Sequence, residues 1–425
     1  MKKMKKNTSG QHCCSLHGWI TCLMRNKIDF PVILHSDINC SNLVFKGDSD
    51  VNTLGRFFCT NLSEENIIKG DGTKRLEECI DAVIGEEQPR DILILNSCMS
   101  QIIGDDVKGT VQKKRGKSRT RIHYRETTGL VFEDPKKVID DVGYLILETL
   151  KNDNSLRDDR ERRTINIIGF ENYVAHNKND LRGYDPFLEE LRKAGAKINT
   201  TIGPGSPISD WKKSLKADIN INFDRRLYQN VAEIYSKKHN IKTIEVPFPA
   251  GIKQTLEFFG IVNEKLGAGK DIISNLEKEI KEAEDYLEKH KNELKKKKII
   301  YNIASNLDFT IGNSAKEGLL MLDFFKELGC DVEILIQGNP EEEHRLAVKN
   351  TLQEIGIEDD FTLFGHCGDG YKFIDGSSDT IVYGSPLLKE QAERMGNRFI
   401  HYGEILPGLM NMKHNIDIII GKDGY

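Results

Sequence analysis

The sequence predicts an α/β fold, in which parallel β-strands alternate with helices, and three observations lead to this prediction. Short runs rich in β-branched and aliphatic residues, such as residues 91–96, recur along the chain. Amphipathic stretches separate these runs, as where Leu76, Ile80 and Val83 recur at helical spacing. At 425 residues the chain is also too long for one ordinary hydrophobic core. Strand–helix–strand alternation of this kind is typical of parallel sheets covered by helices.

The alternation divides into three units in series, which we predict as domains over 1–155, 156–268 and 269–425. A charged, apolar-poor stretch at 154–163 separates the first two units. Predicted strands lie at 30–35 and 91–96, then at 164–169, near 198, at 219–223 and 243–246, and then at 298–303, 332–336, 361–364, 380–383 and 399–401. Helices are predicted near 186–194 and 315–328. We expect a Rossmann-like or flavodoxin-like parallel sheet in each unit.

An apolar stripe predicts one long helix at the start of the third unit. Ile273, Leu276, Ile280, Ala283 and Leu287 recur at intervals of three and four residues, and the other positions are rich in Lys and Glu. The favoured interpretation is a surface helix that bridges the second and third units. A coiled-coil dimer seam is the alternative.

Composition excludes several classes of protein. The net charge of -5 provides no basic field for general binding to nucleic acid. No apolar run approaches the roughly 18 residues that a membrane span requires. The chain begins with basic residues but no apolar segment follows them, so a secretory signal is not expected. We therefore expect a soluble, cytoplasmic protein that binds neither nucleic acid nor membrane.

The cysteines are the first candidates for chemistry. Cys40 and Cys98 each follow a predicted strand, and residues at the carboxyl ends of parallel strands converge on one crevice. Cys14 lies in an N-terminal arm that could fold back over the same edge. Disulfides are not expected in a reducing cytosol. Thiolates suit an iron–sulfur cluster better than calcium or magnesium. Spacing alone leaves buried structural thiols, in a metal-free α/β binding protein, as an open alternative.

Five segments around these cysteines carry a family resemblance. They occur in the order 14–18 (Cys-Ser-Leu-His-Gly), 35–40 (His-Ser-Asp-Ile-Asn-Cys), 61–70, 74–80 and 98–107. This series resembles the nitrogenase component 1 superfamily, which includes molybdenum–iron protein subunits, cofactor-assembly scaffold subunits and dark-operative protochlorophyllide reductase subunits. Residues 247–258 resemble the family's proline–glycine turn into a helix.

The resemblance implies a ligand set. Cys14, Cys40 and Cys98 would hold an iron–sulfur cluster, 4Fe-4S or larger, at a subunit interface. A second component 1 type subunit, in a hetero- or homo-oligomer, would supply what remains of the coordination. Cys13 is the alternative first ligand, although the residues that follow Cys14 match the family better. His35 precedes the second cysteine, and its implied role is either a hydrogen bond in cofactor binding or turn packing.

The resemblance also implies a function with one alternative. The expected protein is a subunit of a nitrogenase-like oxidoreductase enzyme that relays low-potential electrons from an ATP-dependent iron protein to a substrate or second cofactor, such as a second metallocofactor or a tetrapyrrole. Residues 267–270 lack the features of a phosphate-binding loop, so ATP would be hydrolysed on that separate protein. The alternative is a scaffold or carrier subunit for metallocluster assembly without turnover.

Two departures from the family pattern bear on the reaction. Asp224 occupies the position of the cysteine that holds the large metal cofactor in the catalytic nitrogenase subunit, and no counterpart of its histidine appears around His401. Dinitrogen reduction by that route is therefore not expected.

Two further clusters of charged residues have ordinary structural interpretations. Asp105 and Asp106 are predicted to cap a helix. The basic run 113–121 is predicted to be a solvated loop, with a docking surface for an acidic partner as the alternative.

Overall fold

The structure is a computed structural model of the chain, and it describes most of the three units. The described residues are 14–40, 56–127, 135–150, 163–169, 184–203, 206–223, 228–246, 248–266, 273–303, 320–337, 345–346, 349–350, 352–353, 358, 360–365, 367–384, 388–401 and 404–422. Cys13, Asp224, Pro247 and 267–270, which the sequence analysis singled out, lie outside them. So do the two predicted domain boundaries, which stay predictions.

The first sheet has four parallel strands in the order β2-β1-β3-β4. The strands are β1 (Val32–His35), β2 (Phe57–Cys59), β3 (Asp91–Asn96) and β4 (Arg121–Arg125). The helices of this unit are α1 (Ser15–Arg25), α2 (Glu64–Lys69), α3 (Gly72–Glu87), α4 (Cys98–Ile102), α5 (Val107–Lys114) and α6 (Pro135–Leu150). Every residue of β1 and β3 is buried, as expected for central strands of a parallel sheet.

The second sheet repeats this topology, with four parallel strands in the order β6-β5-β7-β8. Its strands are β5 (Thr164–Ile168), β6 (Lys197–Ile202), β7 (Ile219–Asn222) and β8 (Lys242–Glu245). Its helices are α7 (Asp185–Lys193), α8 (Ile208–Ser214), α9 (Gln229–His239) and α10 (Gly251–Leu266).

The third sheet has five parallel strands in the order β11-β10-β9-β12-β13. The strands are β9 (Lys298–Ile303), β10 (Asp331–Gln337), β11 (Phe361–Phe364), β12 (Thr380–Gly384) and β13 (Arg398–His401). The α-helices are α11 (Glu277–Leu294), α12 (Leu320–Glu327), α13 (Cys367–Gly370), α14 (Lys389–Met395) and α15 (Met412–Ile420). Short 3-10 helices cover Ile273–Leu276 and Tyr371–Phe373. The predicted α/β class with parallel sheets is confirmed.

Shared hydrophobic cores join the units. Trp19 and Leu145 of the first unit belong to one buried cluster with Trp211 and Tyr235 of the second. Trp211 also donates a hydrogen bond across this seam, from its Nε1 to the Oδ1 of Asn26 at 3.0 Å. Burial of each such aromatic side chain stabilises the seam by about 2 kcal/mol.

The predicted bridging helix is confirmed. Leu276 and Ala283 are buried in a cluster that also contains Phe258 of the second unit and Phe325 of the third. The remaining residues of the stripe, Ile273, Ile280 and Leu287, pack against the same cluster. One detail differs: the first four residues form a 3-10 helix, and the α-helix begins at Glu277.

Two strands of the first sheet were not predicted, and the basic run is only partly a loop. β2 has three residues, and in β4 only Ile122 is buried, so neither has a strong apolar pattern. The run 113–121 begins in the last turn of α5 and ends at the first residue of β4. Lys114 lies 2.6 Å from the carboxylate of Asp81, so a local ion pair uses part of its charge. No helix in the described part of the chain is long and apolar enough to cross a bilayer.

Candidate metal-cluster site

The first sheet has a topological switch point between β1 and β3. The chain leaves β1 toward β2 on one side and leaves β3 toward β4 on the other. Such a switch opens a crevice at the carboxyl ends of the two central strands, where α/β sheets bind ligands. His35 and Asn96, the last residues of β1 and β3, are register partners. Cys40 and Cys98 therefore follow neighbouring strand ends at the same level of the sheet.

The three predicted ligand cysteines lie near this edge. The thiol of Cys40 is within electrostatic range of the thiols of Cys14 and Cys98. Cys14, directly before α1, is exposed, and the other two are half-buried. The structure thus brings both other thiols close to Cys40. The ligand role itself stays a prediction.

The surroundings of Cys40 test whether these thiols fit a metal cluster. Burial, followed by the carboxylate of Asp37 and the two neighbouring thiols, raises the pKa of Cys40 to about 11. A metal ligand must be a thiolate, and a thiolate here would repel the negative charges around it. Bound iron would supply the positive charge that favours ionisation. The donor set therefore fits a soft, positively charged group.

The described residues include no group of three or more His, Cys, Asp or Glu side chains that could hold a metal ion. The ligands of a cubane bind different iron atoms, so they stand farther apart than the ligands of one ion. The arrangement is therefore better suited to a cluster than to a single ion.

Short hydrogen-bonded turns position the two central cysteines. The Oδ1 of Asp37 accepts the backbone N–H groups of Asn39 at 2.8 Å and Cys40 at 3.2 Å. Such side-chain turns are a common role of aspartate. Ser97, which precedes Cys98 at the start of α4, donates both its N–H and its Oγ–H to the carbonyl of His35, at 3.1 and 3.2 Å. The two turns are thus bonded to each other directly.

His35 is fully buried behind the cysteines. Its Nδ1 lies 3.2 Å from the Oγ1 of Thr60, and its Nε2 lies 3.0 Å from the Oδ2 of Asp105. Burial lowers the pKa of His35, and the adjacent Asp105 opposes that shift. Because protein groups occupy both ring nitrogens, the imidazole can support the turn by hydrogen bonding. Its predicted role in cofactor binding stays a prediction.

The expectation that both aspartates cap a helix is confirmed for one of them. Asp106 is the N-cap of α5, and its Oδ1 accepts the N–H of Gly109 at 2.7 Å. Asp105 instead directs its carboxylate toward His35. The sequence pattern could not separate the two, because both residues precede the same helix.

Sequence reasoning passed over two cysteines near the site. Cys59 ends β2, and its thiol donates to the carbonyl of Ser36 at 3.4 Å, close to the Cys40 turn. Cys79 on α3 lies within electrostatic range of Cys59, and burial raises its pKa to about 11. Recognition of Phe57–Cys59 as a strand would have found Cys59, because it too stands at a carboxyl strand end.

A sequence model for the nitrogenase component 1 type oxidoreductases matches residues 9–377. The chain belongs to this family. The nitrogenase component 1 motifs at 14–18, 35–40 and 98–107 all lie within the match. The resemblance identified from the sequence is therefore confirmed.

Relatives within the family differ in how much of the chain they match. The nitrogenase iron-molybdenum cofactor biosynthesis protein NifE of Methanococcus maripaludis is 24% identical over 79% of this chain and 67% of its own. NifE of Clostridium pasteurianum is 23% identical over 92% and 83%. A light-independent protochlorophyllide reductase subunit of Pleurastrum terricola is 24% identical over 54% and 44%. The chain thus spans less than half the length of this last relative.

A solved structure described as nitrogenase Cp1 at pH 6.5 shares the fold. It superposes with a TM-score of 0.62 over 97% of this chain and 93% of its own, at 16% identity. At this identity the likeness shows the fold alone. The fold class predicted from the sequence agrees with it.

Proposed function

We propose that this chain is a subunit of a nitrogenase-like oxidoreductase that holds an iron–sulfur cluster, 4Fe-4S or larger, through Cys14, Cys40 and Cys98. The proximity of the other two thiols to Cys40 at the switch point is the observation that carries the proposal. Such a cluster stores and passes electrons at a potential that burial and hydrogen bonds adjust. The chain's own contribution is to orient the thiols, with the Asp37 turn and the Ser97 hydrogen bonds holding two of them in place.

A second component 1 type subunit would complete the coordination at this edge. Ile38, Ile68 and Ile102 are 46%, 84% and 68% exposed, and they lie on the segments that leave the carboxyl ends of β1, β2 and β3. Exposed apolar side chains around a polar centre are typical of protein–protein interfaces. Their position supports a partner whose surface covers the thiols.

Electrons would come from an ATP-dependent iron protein in the cytoplasm. This part of the proposal rests on family membership and on the lack of a phosphate-loop pattern in the sequence. A substrate, or a second cofactor such as a metallocofactor or tetrapyrrole, would bind elsewhere in the complex. Acid–base residues for that reaction stay unassigned.

A scaffold for metallocluster assembly is the second candidate. The two NifE relatives match 79% and 92% of the chain, whereas the protochlorophyllide reductase relative matches 54%. A scaffold would hold iron and sulfide by the same thiols but would pass a cofactor on without turnover.

Anaerobic purification of the full chain tests the ligand assignment. Cys40→Ala and Cys98→Ala should each lose stoichiometric iron and sulfide and the paramagnetic signal of the reduced protein. Cys330→Ala, which removes a buried thiol in the third unit, should retain both. A full cluster in the Cys40 and Cys98 variants would refute the assignment. A colourless wild-type protein without iron would refute the function.

The two candidate functions separate in a second assay. The iron-loaded chain, with its partner subunit, is mixed with a reduced iron protein and ATP. A chemically changed small molecule supports the oxidoreductase, and transfer of a metallocofactor to an acceptor protein without any such change supports the scaffold.

A further inference from the structure

Asp105 joins the two cysteine turns from behind without touching either thiol. It lies seven residues after Cys98, and its N–H donates to the carbonyl of Ser100, one of the first residues of α4, at 3.0 Å. Its side chain is 7% exposed, and its Oδ2 lies 3.0 Å from the Nε2 of His35. The carboxylate therefore links the segment after α4 to the end of β1.

His35 extends this link to the neighbouring strand. Its Nδ1 lies 3.2 Å from the hydroxyl of Thr60, which directly follows β2. The same hydroxyl accepts the N–H of Ser36 at 3.1 Å, at the start of the Cys40 turn. The segments after β1, β2 and α4 thus meet at one imidazole ring.

The protonation of this network follows from its partners. An ionised carboxylate can only accept hydrogen bonds, so Nε2 of His35 carries the proton that Asp105 accepts. Burial favours the neutral ring, in which Nδ1 is then an acceptor for the Thr60 hydroxyl. Asp105 therefore fixes which way the ring of His35 faces and which nitrogen carries its proton.

Space for the carboxylate comes from Gly72, the first residue of α3. A Cβ added there would lie 2.1 Å from the Oδ2 and 2.8 Å from the Oδ1 of Asp105, closer than any real contact. The carboxylate thus lies against the amino end of a 16-residue helix, whose partial positive charge favours an anion. Glycine is needed here for close approach, and not for an unusual backbone angle.

We propose that Asp105 is a positioning residue of the cluster site. It holds the turn of Cys98 against the turn of Cys40 through His35, in a cradle that Gly72 leaves open. The inference rests on the proposed function for its purpose, but the geometry it concerns exists in the metal-free chain. It assigns to Asp105 a role distinct from that of Asp106, which caps α5.

Three variants of the full chain test this role. Asp105→Ala removes the carboxylate, and Gly72→Ala displaces it while leaving Asp105 in the sequence. Asp106→Asn is the matched control, because asparagine also caps helices well. Thermal unfolding of each variant verifies that the chain folds.

The first readout needs no metal. The metal-free chain is treated with dibromobimane, which bridges neighbouring thiols, and the Cys40–Cys98 product is quantified by mass spectrometry. Its yield should change several-fold in Asp105→Ala and Gly72→Ala and stay at the wild-type value in Asp106→Asn. Equal yields in all four folded proteins would overturn the inference.

The second readout uses the iron-loaded protein. Asp105→Ala and Gly72→Ala should release iron to a chelator about tenfold more readily, since lost support of metal ligands typically costs ten- to a hundredfold in affinity. Their paramagnetic spectra and midpoint potentials should also shift, which a purely structural residue would not cause. If the wild type holds no cluster, the proposed function fails while the bridging yield still decides the role of Asp105. A wild-type cluster with unchanged variants overturns the positioning role alone.

Discussion

Replacing Glu190 by glutamine should remove a pH dependence from the seam between the second unit and the C-terminal segment. Glu190 lies on α7 and is fully buried. Its Oε2 accepts the N–H of Leu409 at 3.0 Å, and its Oε1 accepts the N–H of Met410. Gly408, at φ +93°, leaves room for these oxygens, because a Cβ there would lie 2.8 Å from one of them. The carboxyl group therefore clamps a loop that is more than 200 residues away along the chain.

The expected magnitude follows from the pKa of this carboxyl group. Burial, together with the nearby carboxylate of Glu279, raises the pKa of Glu190 from 4.5 to about 7, against the opposing effect of the two N–H donors. A shift of this size corresponds to about 3 kcal/mol, since one pKa unit is about 1.4 kcal/mol. The folded pKa is the higher one, so the stabilisation is complete below about pH 4.5 and is lost as the pH rises through about 7.

Hydrogen exchange of the amides at 408–412 measures the opening of this clamp directly. After correction for intrinsic exchange rates, protection in the wild type should fall about a hundredfold between pH 4.5 and pH 7.5, because 3 kcal/mol is about two powers of ten. Glu190→Gln has no group that titrates there, so its protection should be nearly constant over the same range. Parallel profiles in the two proteins would show that Glu190 does not titrate as its surroundings require.

Two further pairs of substitutions test the packing and the apolar edge. Gly143→Ala should lower the free energy of unfolding by about 1–3 kcal/mol, since its Cβ would lie 2.8 Å from the ring of Trp211. Gly85→Ala on α3, where the Cβ meets nothing within 4 Å, should instead stabilise the helix by about 0.5–1 kcal/mol, and an equal loss in both variants by chemical denaturation would contradict this account of the seam. Ile102→Glu should weaken association with the partner subunit in analytical ultracentrifugation, whereas Leu346→Glu, at a side chain 58% exposed in the third unit, should not. Unchanged association in the Ile102 variant would count against the proposed interface.

Strong apolar patterns made much of the fold predictable. The predicted strands at 91–96, 298–303 and 361–364 match β3, β9 and β11 to the residue. These strands are central to their sheets or have long apolar runs, and burial on both faces selects such runs. β2 and β4 were missed because they are the edges of the first sheet, where short length and charged side chains hide the strand pattern.

The candidate site was predictable in part. The cysteine motifs identified Cys14, Cys40 and Cys98, and the strand-end rule explained why two of them should converge. The sequence could not reveal the partners of His35, since Thr60 and Asp105 lie 25 and 70 residues away from it. Nor could it distinguish Asp105 from Asp106, because their roles depend on which way each side chain points.

The sequence by itself determined the family, the α/β class and the candidate thiols, because these depend on local periodicity and on motifs of a few residues. Only the tertiary structure decided which groups meet: Asp105 with His35, Glu190 with the loop at 409–410, and Trp211 with Asn26. Such contacts are made between segments that are distant in sequence, and their partners are selected by space, burial and hydrogen-bond geometry. Those quantities exist only once the sheets are formed and packed.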